Sequence, residues 1–131
     1  MLHKRHPMAT QQIELSPLQM HALADGTLAQ CVDLGIRPMI WSPLAGGRLF
    51  SDQHAQAQRV YAVLADLAQR HGVSLATVAY AWILRHPSRP WPISGSGRLQ
   101  ALQEALAAVD LRLAAEDWYR VWQASMGHEV P

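Results

Sequence analysis

The sequence predicts an α/β fold with parallel strand pairing. Three short apolar or alternating runs are separated by stretches of helical periodicity, the order that produces βαβ units. Glycine, proline and serine punctuate nearly every boundary between them. Half of the 131 residues are hydrophobic and 16% are charged, so a packed core is within reach of the composition.

The first run is Gln12-Ile13-Glu14-Leu15, which alternates polar and apolar as a strand does and ends at Ser16-Pro17. Asp25-Gly26-Thr27 then opens a helix with Asp25 as its cap, and Gly35 closes it after Leu28, Val32 and Leu34. Residues 36–41, Ile-Arg-Pro-Met-Ile-Trp, form the second strand, with Pro38 tolerated near its start. Residues 42–53 follow as a loop.

A long helix spans about 54–71, carrying Val60, Val63, Leu64, Leu67 and Ala68 at helical spacing, and Gly72 ends it. Ser74 caps the next helix, in which Leu75, Val78, Ala79, Trp82 and Ile83 repeat the pattern until Pro87. Residues 91–94, Trp-Pro-Ile-Ser, give a third strand. Gly95-Ser96-Gly97 turns it into a helix marked by Leu99, Leu102, Leu106 and Val109. A last helix starts near Ala115, with Glu116 and Asp117 in its first turn, where carboxylates suit the positive helix end. Three parallel strands alone would leave two unpaired edges.

Composition narrows the function classes. The formal net charge is +1, so no broad basic face marks a nucleic-acid binder, and the basic cluster from His3 to His6 reads as part of a flexible terminus over residues 1–8. No run has the length of a membrane span, and the first fifteen residues lack a signal-peptide core. The single cysteine, Cys31, suits a reducing cytoplasm and falls in a helical pattern as a buried thiol. The seven histidines show no metal-ligand spacing, so no metal site is expected.

Three segments are candidates for chemistry, each with a plainer structural reading when taken alone. Pro92-Ile-Ser-Gly-Ser-Gly-Arg98 runs from a strand through glycines into a helix N-terminus, an arrangement that favours phosphate; a plain tight β–α turn gives the same pattern. Trp41-Ser-Pro-Leu-Ala-Gly-Gly-Arg48 ends a strand on an indole that either stacks on a flat heterocycle or packs in the core beside Ile40. A third segment, Gln11-Gln12-Ile-Glu14, offers a carboxamide at a strand.

Taken in order, these segments resemble the last three strands of the aldo/keto reductase barrel, from about Ala9 to the end of the chain. The family's Asn-Gln-(Ile/Val)-Glu motif is matched at residues 11–14, its aromatic-Ser-Pro-Leu-glycine segment at 41–48, and its Pro-Ile turn before a helix at 92–98. Ala79-Tyr80-Ala81-Trp82 is similar to a recurring helical run of the same family, and the bacterial branch with Gly-Gly-Arg-Leu-Phe is the nearest in pattern.

The resemblance implies a partial (β/α)8 TIM barrel, roughly the last three β/α units, across residues 1–131. It implies NADP as cofactor and reduction of a small aldehyde or ketone in the full-length relative. Gln12 would meet the nicotinamide carboxamide and Trp41 would stack on its ring. Ser42, Leu44, Gly46 and Arg48 would line the pyrophosphate. Ser96 and Arg98 would hold the 2′-phosphate, and Glu104 would reach the adenine amino group.

The chain departs from the family pattern at Gln11 (usually Asn), at Ala101 (often Arg) and at Ala105 (part of a Glu-Asn pair in many members). The family's catalytic Tyr, Lys, Asp and His lie on the first half of the barrel. Tyr61, Tyr80 and Tyr119 match none of those positions, and Lys4 is the only lysine, so no catalytic residue is carried over. A complete barrel takes ~250 residues, so the resemblance also implies a complementing N-terminal half or a homo-oligomer. Two other readings remain open: a non-catalytic NADP-binding or interaction module, and an unrelated α/β domain that shares these turns by chance.

Overall fold

The computed structural model describes residues 2–130. Strands β1 (Gln12–Glu14), β2 (Met39–Trp41) and β3 (Trp91–Pro92) form one parallel sheet in the order β1-β2-β3. Ile13 lies opposite Ile40, Glu14 opposite Trp41, and Ile40 opposite Pro92. The second and third strands are shorter than the sequence predicts. Pro38 has no N–H to donate, but its carbonyl accepts from Trp91 N at 2.8 Å, so pairing begins at its oxygen. Past Pro92 only the Ile93 amide continues the ladder, donating to Ile40 O at 2.8 Å, before the chain leaves the sheet.

Helices α2 (His21–Ala24) and α3 (Thr27–Leu34) follow β1. The sequence predicts a single helix opened by Asp25. Instead Gly26 occupies the cap position of α3 with φ +84°, and Asp25 works from one residue earlier, its carboxylate accepting from Thr27 N at 2.8 Å. Gly35 closes α3 as expected, with φ +65°. Cys31, inside α3, is buried, and burial pushes its thiol pKa up.

Residues 42–53 are not the plain loop the sequence suggests. A 3-10 turn at Ala45–Gly47 runs into a helical turn, α4 (Arg48–Ser51), which buries Leu49. At the N-terminus, Leu2–Arg5 form one helical turn, α1, where the sequence reading has no element.

The helical layer is built on α5 (Ala55–His71) and α6 (Leu75–Leu84). Every residue from Ala76 to Ile83 is buried, so α6 is a core helix with apolar contact on all sides. It packs against α5, β3 and α7 (Leu99–Ala107), while α8 (Ala115–Met126) lies along α5. Ser74 caps α6 through Thr77 N at 3.1 Å, as its position predicts.

Helix α7 differs from the others. None of its residues is buried, and the apolar positions that mark it in the sequence face outward: Leu99 is 72%, Leu106 69% and Val109, just past its end, 68% exposed. Their spacing of three and four residues makes a stripe along the helix. The outer edge of β3, before α7 in the chain, pairs with no other described strand.

Candidate functional site

The ends of β2 and β3 open onto a cleft of about 830 Å³. Its walls come from the segment after β2, the turn after β3, the start of α6 and the first turns of α7. This is the crevice beyond the carboxyl ends of parallel strands, where α/β sheets hold ligands.

Seven of the nine residues singled out from the sequence line it: Trp41, Ser42, Leu44, Gly46, Ser96, Arg98 and Glu104. They come from positions up to 63 apart in the chain, 41 to 104, and the fold brings them together. The other two lie elsewhere. Gln12 lines a separate shallow hollow with Gln11, Asp25 and Thr27. Arg48 does not line the cleft; its Nε donates to Ala45 O at 3.3 Å, and its Nη1 lies 4.0 Å from Asp52 Oδ2.

Trp41 is 43% exposed although it neighbours the fully buried Ile40. Strand alternation explains the pair: Ile40 points into the core and Trp41 points out of it. Packing alone therefore does not account for the indole at this position. The segment that follows is conformationally costly. Ser42 and Ala45 hold φ of +52° and +54°, and Gly46 and Gly47 follow at +63° and +88°. Non-glycine residues in this region carry strain of about 1–3 kcal/mol each, a pattern concentrated at binding sites.

The β3–α7 turn is informative in a different way. Neither Gly95 nor Gly97 has a left-handed φ, and a Cβ built on either meets nothing within 4 Å. The fold of the chain itself thus does not demand glycine at either place. Neither amide makes a hydrogen bond to a described residue, while Ser96 N and Arg98 N are turned onto the Ser94 and Ser96 hydroxyls at 3.4 and 3.3 Å. Free amides, bare Cα atoms, a half-buried serine and an exposed arginine form a donor set suited to a close-approaching phosphate.

Glu104 is fixed from its backbone, because its carbonyl accepts from Thr77 Oγ1 at 2.9 Å. Its carboxylate accepts from Gln100 Nε2 at 3.3 Å. The sequence reading missed Phe50, Ser74 and Tyr80 as cleft residues. Ser74 was legible as a helix cap, and a cap at a strand-end crevice is also a wall. Tyr80 carries no sequence signal beyond its place in a helical repeat. Among the described residues, no group of three or more His, Cys, Asp or Glu side chains is placed to hold a metal ion. No helix among them is long and apolar enough to cross a membrane.

Comparison with known proteins bears on this arrangement. The family model for the aldo/keto reductase family matches residues 1–125. Oxidoreductase YdhF of Escherichia coli is 42% identical over all of this chain and 44% of its own length. A 6-dehydroglucose reductase of Novosphingobium aromaticivorans is 41% identical over 95% of this chain and 41% of its own. Among solved structures, a thermostable aldo-keto reductase bound to the inhibitor epalrestat matches with TM-score 0.79 at 24% identity, over 90% of this chain and 40% of its own. An aldo/keto reductase of Klebsiella pneumoniae, solved with NADP and acetate, matches with TM-score 0.73 at 22% identity, over 95% and 41%. The chain therefore spans well under half the length of these relatives, and its three-stranded sheet fits part of their barrel fold.

Proposed function

Because this chain belongs to the aldo/keto reductase family, we propose that it is the NADP-holding part of a reductase of aldehydes or ketones. The observation that carries the reading is the convergence of Trp41, Ser42, Ser96 and Arg98 on one cleft. The exposed indole offers a flat surface for the nicotinamide. The Ser96–Arg98 turn supplies hydroxyl, amide and guanidinium donors for the 2′-phosphate. Glu104 faces the same cleft as an acceptor for the adenine amino group. When bound, the cofactor supplies the hydride; these residues bind and orient it.

Gln12 belongs to the site only if the cleft extends past β1 once further strands cover that edge, and Arg48 only if it leaves Asp52 for a phosphate. No residue of this chain is assigned as the catalytic acid. The proposed reaction therefore needs β/α units besides those described, and the open β1 and β3 edges and the α7 stripe are surfaces they would cover. The single free cysteine, Cys31, suits a reducing compartment, and the cytoplasm is the proposed one.

A non-catalytic NADP-binding module is the second reading, favoured by the same cleft. Two measurements separate the possibilities. Calorimetric titration with NADPH is expected to saturate; a flat titration removes nucleotide binding from both readings. A carbonyl-reduction assay with NADPH on this chain alone is expected to show no turnover, with activity appearing on addition of the complementing β/α units. Turnover by the chain alone would overturn the assignment of catalysis to residues outside it.

A further inference from the structure

Tyr80 sits in the middle of the core helix α6 and is 5% exposed. Its ring belongs to the hydrophobic core, yet the residue also lines the cleft. The two facts are reconciled by helix geometry. A helical side chain leans toward the N-terminus over the residues three and four positions earlier. For Tyr80 these are Thr77 and Ala76, and Ala76 is itself a cleft residue. A small residue at Ala76 leaves the way open, so the tyrosine reaches the cleft from beneath.

Its hydroxyl makes no hydrogen bond to another described residue. Yet no buried side-chain oxygen or nitrogen among those residues lacks a partner. The Tyr80 oxygen is therefore not sealed off from solvent, and the residue that carries it lines the cleft. A phenol whose ring is held in a core, beside a crevice and with its hydroxyl unpaired, is a preorganised hydrogen-bonding group.

We propose that the Tyr80 hydroxyl is a ligand-contacting group that hydrogen-bonds the heteroaromatic base of an adenine nucleotide. The inference rests on the NADP reading above and assigns a residue that neither the sequence motifs nor that reading includes. The class of ligand follows from the surroundings. Ala76 on α6 and Ala101 on α7 make small apolar walls, and Glu104 adds a carboxylate. A phosphate would be repelled by that carboxylate, and the cleft's cationic side chain, Arg98, sits instead at the β3–α7 turn. A flat neutral base with an edge of donors and acceptors suits apolar walls, a hydroxyl and a carboxylate together. Ala101 offers no polar group of its own; Ser74 is engaged as the α6 cap and Gln100 donates to Glu104, so Tyr80 adds an uncommitted hydroxyl to this end of the cleft.

The test uses adenosine 2′,5′-bisphosphate as probe, titrated calorimetrically into the unaltered chain, Tyr80→Phe and Trp41→Ala. Tyr80→Phe keeps the ring and removes only the hydroxyl. It is expected to raise the Kd of the bisphosphate roughly three- to tenfold, the effect of one lost hydrogen bond, with an unchanged melting curve. Trp41→Ala is expected to leave the bisphosphate Kd unchanged while weakening NADPH. Equal Kd values for the unaltered chain and Tyr80→Phe would overturn the contact while leaving NADP binding intact. A flat titration with the unaltered chain would overturn the contact together with the reading beneath it. Should Tyr80→Phe prove unstable, Ala101→Leu fills the same part of the cleft from α7. A bisphosphate Kd unaffected by that variant would equally overturn the placement.

Discussion

Trp82 of α6 and Trp118 of α8 exchange hydrogen bonds: each indole N–H donates to the other's backbone carbonyl, at 3.1 and 2.9 Å, with the rings stacked 5.3 Å apart at 12°. The reciprocity has a local cause. Near the end of α6 the hydrogen-bond ladder tightens, and His86 N donates to Ile83 O rather than reaching back to Trp82 O. The Trp82 carbonyl would be an orphan of the helix end without the Trp118 indole. Trp118→Phe keeps an aromatic ring and removes that donor, and it is expected to cost about 2 kcal/mol from the lost bond and incomplete filling. A denaturant melt checks this; an unchanged midpoint would show that the clasp is ornamental.

Asp117 ties α8 to α5. Its Oδ1 accepts from Arg70 Nη2 at 2.6 Å and from Arg120 Nη1 at 3.2 Å. Burial raises the Asp117 pKa, but the two guanidinium groups outweigh it and hold the carboxyl below its ordinary 3.8. A carboxylate with a depressed folded pKa stabilises fully above the unfolded value and loses that contribution as pH falls through the folded one. Asp117→Asn is therefore expected to lower stability at pH 7 by about 1–2 kcal/mol, with the gap closing below about pH 4. A constant gap across a pH series of melts would show that the charge is not what matters.

His86 works in the same direction at milder acidity. Burial pushes its pKa below 6.5. Its Nδ1 lies 2.9 Å from Ser88 Oγ and also accepts from Ser88 N, which requires that nitrogen to be unprotonated. Below about pH 6.5 the unfolded chain takes up a proton that the folded chain refuses, so stability falls with pH from that point. His86→Gln is expected to flatten this slope between pH 6.5 and 5, measured by urea midpoints. A variant with the same slope as the unaltered chain would show that His86 is not the source of the effect.

The α7 stripe makes a prediction about solubility rather than stability. Leu106 is 69% exposed and supports nothing in the described core. Leu106→Glu is expected to change the melting midpoint by less than about 0.5 kcal/mol in free-energy terms. It is also expected to reduce binding of an apolar dye and self-association seen by light scattering, because it interrupts a contiguous apolar patch. A large loss of stability would mean that the side chain is packed after all.

The parts of the fold that were legible are those fixed by local chemistry. Gly35 and Gly72 end helices in the left-handed conformation, Ser74 caps α6, and the spacing of Val60, Leu64 and Leu67 fixes the buried face of α5. Three features were not legible. The helical turn at Arg48–Ser51 follows three positive-φ residues, and a glycine-containing segment looks the same whether it coils or turns. Periodicity shows that α7 has an apolar face but does not say whether anything covers it. In the site, the motif residues at strand ends were readable because order along the chain maps onto neighbouring strands. Tyr80 was not, since its role depends on the size of Ala76 one turn earlier. Gln12 lines a different hollow from the other motif residues, because a motif says which strand carries a residue and not which opening of the fold it faces.

Cofactor choice is where the cleft can be read most directly. Arg98 is exposed, lines the cleft, and stands at the N-terminus of α7 with its own amide turned onto Ser96 Oγ. The bidentate guanidinium fits a phosphate oxygen pair better than an ammonium does, and the helix end adds to the same field. If Arg98 meets the 2′-phosphate, Arg98→Ala removes a charge-assisted bond worth about 1.5–3 kcal/mol, or roughly ten- to a hundredfold in NADPH affinity. NADH has a hydroxyl at that position and gains little from the arginine, so its Kd is expected to change by less than about twofold, within a few tenths of a kcal/mol. Arg98→Lys keeps the charge but not the fork, and is expected to fall between the two. An equal loss for NADPH and NADH would instead place Arg98 at a phosphate that both dinucleotides share, moving the 2′-phosphate away from the β3–α7 turn.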